Sequence, residues 1–313
     1  MISKSIIDHL DSLQPGTGLY FQEQLTLIST EVLRTKLPTL NGLSLFAIKT
    51  DVPAGAKSFK RVIYDHVGSA EFIANYGDDL KRVDVVADEE EILFKSVGDA
   101  FGYSVDDIAA AAAARQIGRG PSIDLSTEKA LAARKFIEKK LNDIVWKGSP
   151  KEKLYGILNH PAYPRYAMPN TTSAAVDTLA ADICAAFYSV QDDTNQVEKP
   201  DRIILAARVR NTLSTRYRAN TDLTLLDMVA GSCGITTEKI IGVHELDRAG
   251  EVGGDLMIID RKDPLIAQHI LPTPFEQLPP EARNLEYVIN CIARTGGIMS
   301  MYPQGLRICE FPA

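Results

Sequence analysis

The feature of the sequence that most limits its fold is a long amphipathic pattern between Ser126 and Lys147. Apolar residues recur there at spacings of three and four, at Ala130, Ala133, Ile137, Leu141 and Ile144. This is the period of one face of an α-helix, and Gly148 supplies a common helix stop. At 1.5 Å per residue the helix would run about 30 Å, enough to span a domain. We therefore predict a spine helix over 126–147.

The residues that follow alternate between helix and strand patterns, which predicts a second lobe of α/β type over 170–270. The predicted elements are a helix near Ser173–Val190, a buried strand at Asp201–Leu205, a short helix over Asp222–Cys233 that ends at Gly234, and strands at Lys239–His244 and Leu256–Ile259. Three further β-rich runs lie at Tyr287–Ala293, Ile298–Tyr302 and Leu306–Phe311.

Two segments before the spine helix have strand patterns. β-rich residues at 43–52 and 59–64 flank Pro53 and Gly55, which predicts that these two strands form a hairpin. Residues 66–97 mix short apolar patches with glycines and the acidic run Asp88–Glu91, and no amphipathic helix fits them. We predict a long hairpin there that buries little surface within its own subunit.

Composition excludes several classes of protein. The chain has 313 residues, 45% of them hydrophobic, so a core is available without metals or disulfides. The longest apolar run is far shorter than a membrane helix needs, and the N-terminus shows no signal peptide. Four cysteines without a CxxC pair predict reduced thiols. A net charge of −7 argues against tight nonspecific binding to nucleic acid.

The sequence contains no Walker A, HExxH, nucleophile-elbow or Rossmann glycine motif. Gly231-Ser232-Cys233-Gly234 is interpreted as a helix stop rather than a nucleophilic-cysteine site, and Gly250–Gly254 as a hairpin turn rather than a phosphate loop. Asp88–Glu91 is interpreted as a solvated or Arg/Lys-facing edge rather than a site for a hard cation, because consecutive side chains of a strand point to opposite faces. We expect no catalytic residue, no metal and no cofactor.

Four stretches taken in order carry a family resemblance. They are Tyr64–Ala70 with Asp78–Asp84, Lys95–Ser104, Ile144–Asn159, and Pro274–Pro280 continuing to Ala293–Ile298. The chain resembles the major capsid proteins of tailed bacteriophages with the Hong Kong 97-like fold, over about residues 40–305. It is also similar to encapsulin shell proteins, which share that fold.

The resemblance implies an α+β capsid fold. Its parts would be an N-terminal arm (1–42), peripheral-domain strands (43–63), an extended two-stranded loop (64–97), a peripheral domain with the spine helix (98–169), an α/β axial domain (170–270), and a return to the peripheral domain (271–313). The implied function is a non-enzymatic major capsid protein that self-assembles into the icosahedral head of a tailed phage and encloses double-stranded DNA.

The implied partners are copies of the chain itself, as pentamers and hexamers, together with a decoration or cement protein, a scaffold and a portal. Packaged DNA would be contacted weakly and nonspecifically, and no membrane is involved. The protein would reside in the virion, and in the host cytoplasm during assembly. Within and beside the loop, the predicted subunit-interface residues are Asp65, Glu71, Asp78, Asp79, Arg82 and Lys95. The alternatives are an encapsulin-type nanocompartment shell and a cytoplasmic α/β enzyme with its site in the 170–270 lobe.

Overall fold

The computed structural model describes residues 38–53, 55–68, 83–109 and 125–312. The labelled helices are α1 (Gly42–Leu45), α2 (Leu125–Lys147), α3 (Val176–Asp193), α4 (Ala207–Thr215) and α5 (Leu225–Cys233). The strands are β1 (Ala47–Lys49), β2 (Ser58–Val67), β3 (Asp84–Leu93), β4 (Lys95–Ser104), β5 (Arg165–Ala167), β6 (Arg202–Ala206), β7 (Ile240–Val243), β8 (Leu256–Asp260), β9 (Gln268–Ile270), β10 (Thr273–Gln277), β11 (Glu281–Arg283), β12 (Glu286–Thr295), β13 (Gly297–Met299) and β14 (Arg307–Glu310). Short 3-10 turns lie at Pro150–Glu152, Thr237–Lys239, His244–Leu246 and Pro303–Gly305.

Helix α2 confirms the predicted spine. The apolar face is buried at Ala133, Ile137, Leu141 and Ile144. On the polar face, Arg134 Nε donates to Glu138 Oε1 at 2.7 Å, an ion pair one turn apart. Such exposed pairs contribute only about 0.3–0.5 kcal/mol, so burial of the apolar stripe is what holds the helix in place.

The chain reverses directly after α2 and returns along its last turn. Gly148 has a φ of +65°, in the left-handed region, and a Cβ added there would lie 2.5 Å from the Leu154 carbonyl oxygen. The returning segment is held by its backbone, since Ile157 N donates to the Val145 carbonyl at 2.8 Å. Asn159 Oδ1 accepts from Gly156 N at 2.6 Å. Only glycine fits the crossing point at 148 without strain.

The 170–270 lobe is built on a five-stranded sheet with strand order β5-β14-β8-β6-β7. Strand β6 pairs with β7 in parallel and with β8 antiparallel, and every residue of β6 and β8 is buried. The inner face of α3, represented by Leu179, Ile183 and Phe187, belongs to the same core. The predicted α/β alternation is therefore present, and α5 ends at Gly234 with a φ of 68°, as expected for a helix stop.

The last strand of the chain belongs to this same sheet. Strand β14 lies between β5 and β8, pairing with β5 in parallel and with β8 antiparallel. Residues 307–310 therefore complete the sheet of the 170–270 lobe, although they lie in the segment 271–313 that was expected to return to the peripheral domain.

The predicted hairpin between 43–52 and 59–64 is wrong. Strand β1 pairs in parallel with β9, at Ala47↔Gln268, whereas β2 pairs with β3 over ten consecutive residue pairs from Ser58↔Leu93 to Val67↔Asp84. A strand pattern reports which face is buried and does not report the partner, so Pro53 and Gly55 turn the chain without pairing its two arms. A long hairpin was predicted within 66–97, and the observed ribbon differs from it in its bounds. Its first arm is β2, which includes the strand expected at 59–64, and its second arm is β3. Residues from Lys95 onward form β4, which pairs with β12 instead.

The chain divides into two compact units. Among the described residues, the smaller unit holds 38–39, 101–109, 125–132 and 280–289, and the larger holds the remainder. In the smaller unit, Lys129 Nζ donates to the Gly102 carbonyl at 2.7 Å and lies 4.6 Å from the centre of the Tyr103 ring. Ser104 Oγ accepts from Asp107 N at 3.0 Å and so caps a helical stretch at 105–109.

Within the described parts of the chain, no helix combines the length and apolar character needed to cross a bilayer. The same residues contain no group of three or more His, Cys, Asp or Glu side chains placed to hold a metal ion.

Candidate assembly surfaces and their support

The β2–β3 ribbon exposes apolar side chains on both of its faces. Opposed residues of an antiparallel pair share a face, so Val62 and Tyr64 lie on the face that carries Val85, while Val67 lies with Val86 on the other. All five are exposed in the subunit, with Tyr64 at 66% and Val86 at 54%. A two-stranded ribbon has no second layer to cover either face, so these side chains are available to another surface.

The edges of the ribbon are a second feature. In the part of the chain that the structure describes, β2 and β3 form a sheet of two strands only. The outer edge of each strand therefore pairs with no strand among the described residues. Such edges pair readily with other chains unless charge or curvature protects them. Lys60 Nζ lies 3.9 Å from Glu89 Oε2, so the ribbon carries charge of both signs beside its apolar residues.

Among the predicted interface residues, Lys95 is the one whose side chain the structure describes. At the start of β4, its Nζ lies 3.0 Å from Glu152 Oε2, and both side chains are partly exposed. The hydrogen bond and the charge of Lys95 lower the pKa of Glu152. Asp65 lies in β2 opposite Val86, with its side chain outside what is described. Glu71, Asp78, Asp79 and Arg82 lie outside the described residues.

Two arginines hold the base of the ribbon to other parts of the larger unit, and both donate to backbone carbonyls. Arg61 Nη1 donates to Ser300 O at 2.8 Å, and Arg294 Nη2 donates to Ala56 O at 2.7 Å. His160 lies near this base, with its ring centre 4.7 Å from that of Tyr163. Burial, aided by the positive charge of Arg61, lowers the pKa of His160 to about 4.

A buried ion pair links the lobe's sheet to the segment before β1. Arg202 on β6 donates from Nε and Nη2 to the two carboxylate oxygens of Asp260 on β8, each at 2.6 Å. Its Nη1 donates to the Leu45 carbonyl at 2.8 Å, and its guanidinium lies 5.6 Å from the centre of the Phe46 ring. Burial raises the pKa of Asp260, while the hydrogen bonds and charge of Arg202 oppose that shift.

Glu245 gathers three separate parts of the chain. Its carboxylate accepts from Asn41 Nδ2 at 3.1 Å and from Asn142 Nδ2 on the spine helix at 3.1 Å. Asn142 Oδ1 in turn accepts from Gly42 N at 2.8 Å. The side chain of Glu245 is only 8% exposed, so little water can bind its carboxylate. The two asparagine amides provide the hydrogen bonds that the buried carboxylate needs. The result ties the start of α1 and the spine helix to the 170–270 lobe.

His269 is buried between β1 and β13, on the central strand of a three-stranded sheet. Its Nε2 hydrogen-bonds with Thr295 Oγ1 at 2.9 Å. Burial lowers the pKa of His269 to about 4, so the imidazole is neutral at pH 7. A neutral, buried and hydrogen-bonded imidazole at this position has a structural role.

The 170–270 lobe carries a surface groove of about 320 Å³ beside α4 and β7. Its lining includes Arg210, Asn211 and Glu238, with no histidine or cysteine. Arg210 Nε donates to the Ile240 carbonyl at 2.9 Å, so the guanidinium fastens α4 to the edge strand. The groove offers no pairing of a nucleophile with a base of the kind that covalent catalysis requires.

None of these buried polar clusters was predicted from the sequence. Arg202, Asp260, Glu245 and Asn142 belong to no short motif, and their partners are distant in sequence. Leu45 lies 157 residues from Arg202, and Asn41 lies 204 residues from Glu245. A single charged residue inside an apolar strand pattern, such as Arg202 before Ile203, is the one signal that could have been used.

The family model described as major capsid protein matches residues 68–309, well over half of the chain. Solved structures with the same fold include the capsid of Myoviridae phage XM1, at a TM-score of 0.77 and 15% identity, covering 90% of this chain and 95% of that one. A chain of Mycobacterium phage Bobi matches at a TM-score of 0.61 and 13% identity, covering 100% and 99%. The virus-like particle from Pyrococcus furiosus matches at a TM-score of 0.55 and 15% identity, covering 93% of this chain and 99% of that one. No curated protein matches the sequence.

The family match and the structural matches confirm the predicted α+β capsid fold and the predicted family. Phage capsid chains are matched over at least nine-tenths of both lengths in the two phage examples above. The encapsulin-type alternative gains no better support than the phage one. The chain belongs to the major capsid protein family, and it is a structural, self-assembling subunit of a phage head with the Hong Kong 97-like fold rather than an enzyme.

Proposed function

We propose that the subunit assembles into the pentamers and hexamers of an icosahedral head, and that the β2–β3 ribbon lies against a neighbouring copy. The observation that carries the proposal is the exposure of five apolar side chains on a ribbon that has only two strands among the described residues, namely Val62, Tyr64, Val67, Val85 and Val86. Burying apolar surface contributes about 25 cal/mol per Å², so covering these side chains in a neighbour's contact would favour assembly. Pairing at the ribbon's edges would add directional hydrogen bonds.

The domain assignment belongs to the same proposal. Residues 1–42 form the arm, 64–97 the extended loop, 98–169 the peripheral domain with the spine, and 170–270 the axial domain. Strands 43–63 and the residues from 271 belong to the peripheral domain, except that β14 completes the axial sheet. The arginine contacts at the ribbon's base support a loop that is held firmly at one end.

The ribbon contact can be tested with substitutions that leave the isolated subunit intact. Tyr64→Ser and Val86→Ser change side chains that are exposed, so the melting temperature of the unassembled subunit should stay within error of wild type. Val252→Ser is the matched control, because Val252 is 82% exposed and lies outside the ribbon. We expect the two ribbon variants to lower the yield of closed shells in negative-stain microscopy and sedimentation, and the control to leave it unchanged. Equal shell yields for all three variants would contradict the proposal.

Asp65, Glu71, Asp78, Asp79, Arg82 and Lys95 are proposed as polar contacts between subunits. Lys95 offers the sharpest test because its partner within the chain is known. Lys95→Ala and Glu152→Ala remove the same exposed ion pair and should have equal, small effects on subunit stability. If Lys95 also contacts a neighbour, Lys95→Ala lowers shell yield more than Glu152→Ala does. Equal yields would assign Lys95 to the subunit alone.

The head is proposed to enclose double-stranded DNA with weak contacts, after assembly in the host cytoplasm. The net charge of −7 supports a wall that does not bind DNA tightly, since nonspecific affinity requires an excess of Lys and Arg. A scaffold, a portal and a decoration or cement protein are proposed as further partners. Native particles should contain nuclease-protected double-stranded DNA and a portal at one vertex. Particles that contain a protein cargo and no genome would favour the encapsulin-type alternative.

A further inference from the structure

Two of the four cysteines form a close pair. The Sγ atoms of Cys184 and Cys233 lie 3.4 Å apart, although the residues are 49 positions apart in sequence. Cys184 lies on the third helix, α3, and Cys233 is the last residue of α5. The two helices are joined nearby by a second contact, in which Tyr188 Oη donates to the Ser232 carbonyl at 2.7 Å. The remaining cysteines, Cys291 and Cys309, are fully buried elsewhere.

The two thiols differ in access and in acidity. Cys184 is partly exposed, whereas Cys233 is buried. The hydrogen bond with Cys233 lowers the pKa of Cys184, with a smaller contribution from the Ser232 hydroxyl and with burial acting against both. The same hydrogen bond, together with burial, raises the pKa of Cys233. Cys184 is therefore the thiol that a soluble oxidant reaches first, and it loses its proton more readily than Cys233 does.

We propose that Cys184 and Cys233 are a peroxide-sensitive pair that closes to an intramolecular disulfide. The Cys184 thiolate attacks one oxygen of hydrogen peroxide, forming a sulfenic acid and releasing hydroxide. The sulfur of Cys233 then attacks the Cys184 sulfur and displaces its hydroxyl group, which leaves as water with the Cys233 proton. Two thiols are oxidised to one disulfide, and one peroxide is reduced to two waters.

The geometry requires only a short movement. The sulfur atoms have to approach from 3.4 Å to the bonding distance of about 2.05 Å. Cys233 is the last residue of its helix, and Gly234 follows in the left-handed region with a φ of 68°. A disulfide at this point would connect α3 to α5. It would close a loop in the unfolded chain and lower the conformational entropy of the unfolded state, which stabilises the lobe.

The proposal goes beyond shell formation, and its test uses the unassembled full-length chain. The reduced protein is treated with one equivalent of hydrogen peroxide, remaining thiols are blocked with iodoacetamide, and the chain is cut with trypsin. Cleavage after Arg165, Arg202, Arg218 and Lys239 places the two cysteines on separate peptides, 166–202 and 219–239. We expect these peptides to be linked, with a mass about 2 Da below their sum because two thiol hydrogens are lost. The midpoint of thermal unfolding should rise by roughly 5 °C and fall again with dithiothreitol.

Matched variants separate this pair from the other cysteines. Cys184→Ser and Cys233→Ser should each abolish the linked peptide and the rise in unfolding temperature, while Cys291→Ala should keep both. The linked peptide in the wild-type chain tests the proposal even if a variant fails to fold. Recovery of both cysteines as alkylated thiols, oxidation of Cys184 to sulfinic acid without a link, or links between separate chains would each overturn the proposal.

Discussion

The buried imidazole of His269 makes the stability of the subunit depend on pH in a calculable way. Its pKa is about 4 in the folded protein and about 6.5 in an unfolded chain. Below pH 6.5 the unfolded state therefore binds a proton that the folded state does not. The free energy of unfolding falls as the pH drops from 6.5, by up to about 1.4 kcal/mol per pH unit, and levels off below pH 4.

Between pH 7 and pH 4.5 this single histidine should remove about 2 kcal/mol of stability. His160, whose pKa is also lowered to about 4, acts in the same direction and the same pH range. Protonation of Asp260, whose pKa burial raises, acts in the opposite direction at the acid end. The wild-type protein is therefore compared with a His269 variant, so that the contributions of His160 and Asp260 to the pH dependence cancel.

The perturbation is His269→Gln, which keeps a polar side chain beside Thr295 and removes the titration. Urea unfolding of the unassembled subunit is measured at pH 7.0, 6.0, 5.0 and 4.5, and the unfolding free energies of wild type and variant are subtracted at each pH. The substitution itself changes the unfolding free energy at every pH. The test is therefore how the difference between wild type and variant changes with pH. We expect the wild-type protein to lose about 2 kcal/mol more than the variant across this range. Parallel profiles would refute the assignment of a neutral, buried His269.

Three further predictions concern the larger unit. Asp260→Asn leaves the Arg202 charge buried without its partner and should cost about 3–5 kcal/mol in urea unfolding, whereas replacing both residues by apolar ones should cost far less. Glu245→Ala removes a carboxylate that three donors share and should lower the unfolding free energy by about 2–3 kcal/mol, with an increase in hydrogen exchange at residues 41–45. Gly148→Ala should destabilise the subunit, because the φ of Gly148 is +65° and the added methyl group would clash with the Leu154 carbonyl. Its control is Gly231→Ala, whose methyl group would lie in open space on a helix. This change should raise the unfolding free energy by about 0.5–1 kcal/mol in thermal unfolding.

The sequence predicted the elements whose signal lies within a few turns of chain. The spine helix, α3, and the strands β6 and β8 all carry continuous apolar patterns, and each was found close to its predicted limits. The stop at Gly234 was equally local. These features depend on the period of the side chains and on backbone preference, which a short stretch of sequence contains in full.

Features that depend on a distant partner could not be predicted in this way. The partner of β1 lies more than 200 residues away at β9, and local alternation favoured the nearer strand. Helix α4 begins directly after β6, without a turn to separate the two patterns, and was not predicted. The contacts of Glu245 and the Cys184–Cys233 pair likewise require the folded lobe, because they join side chains from separate elements. Among the predicted interface residues, only Lys95 could be compared with the structure in side-chain detail.

The position of β14 has a consequence for protein synthesis. This strand fills the space between β5 and β8, so the central sheet stays divided until residue 307 and its successors have been translated. Translation proceeds at about 5–20 residues per second, and the portion already made waits several seconds after β8 for its missing strand. A chain that terminates before residue 307 lacks that strand altogether and cannot close the sheet. In such a chain β5 and β8 would each lose β14, the strand that both of them pair with.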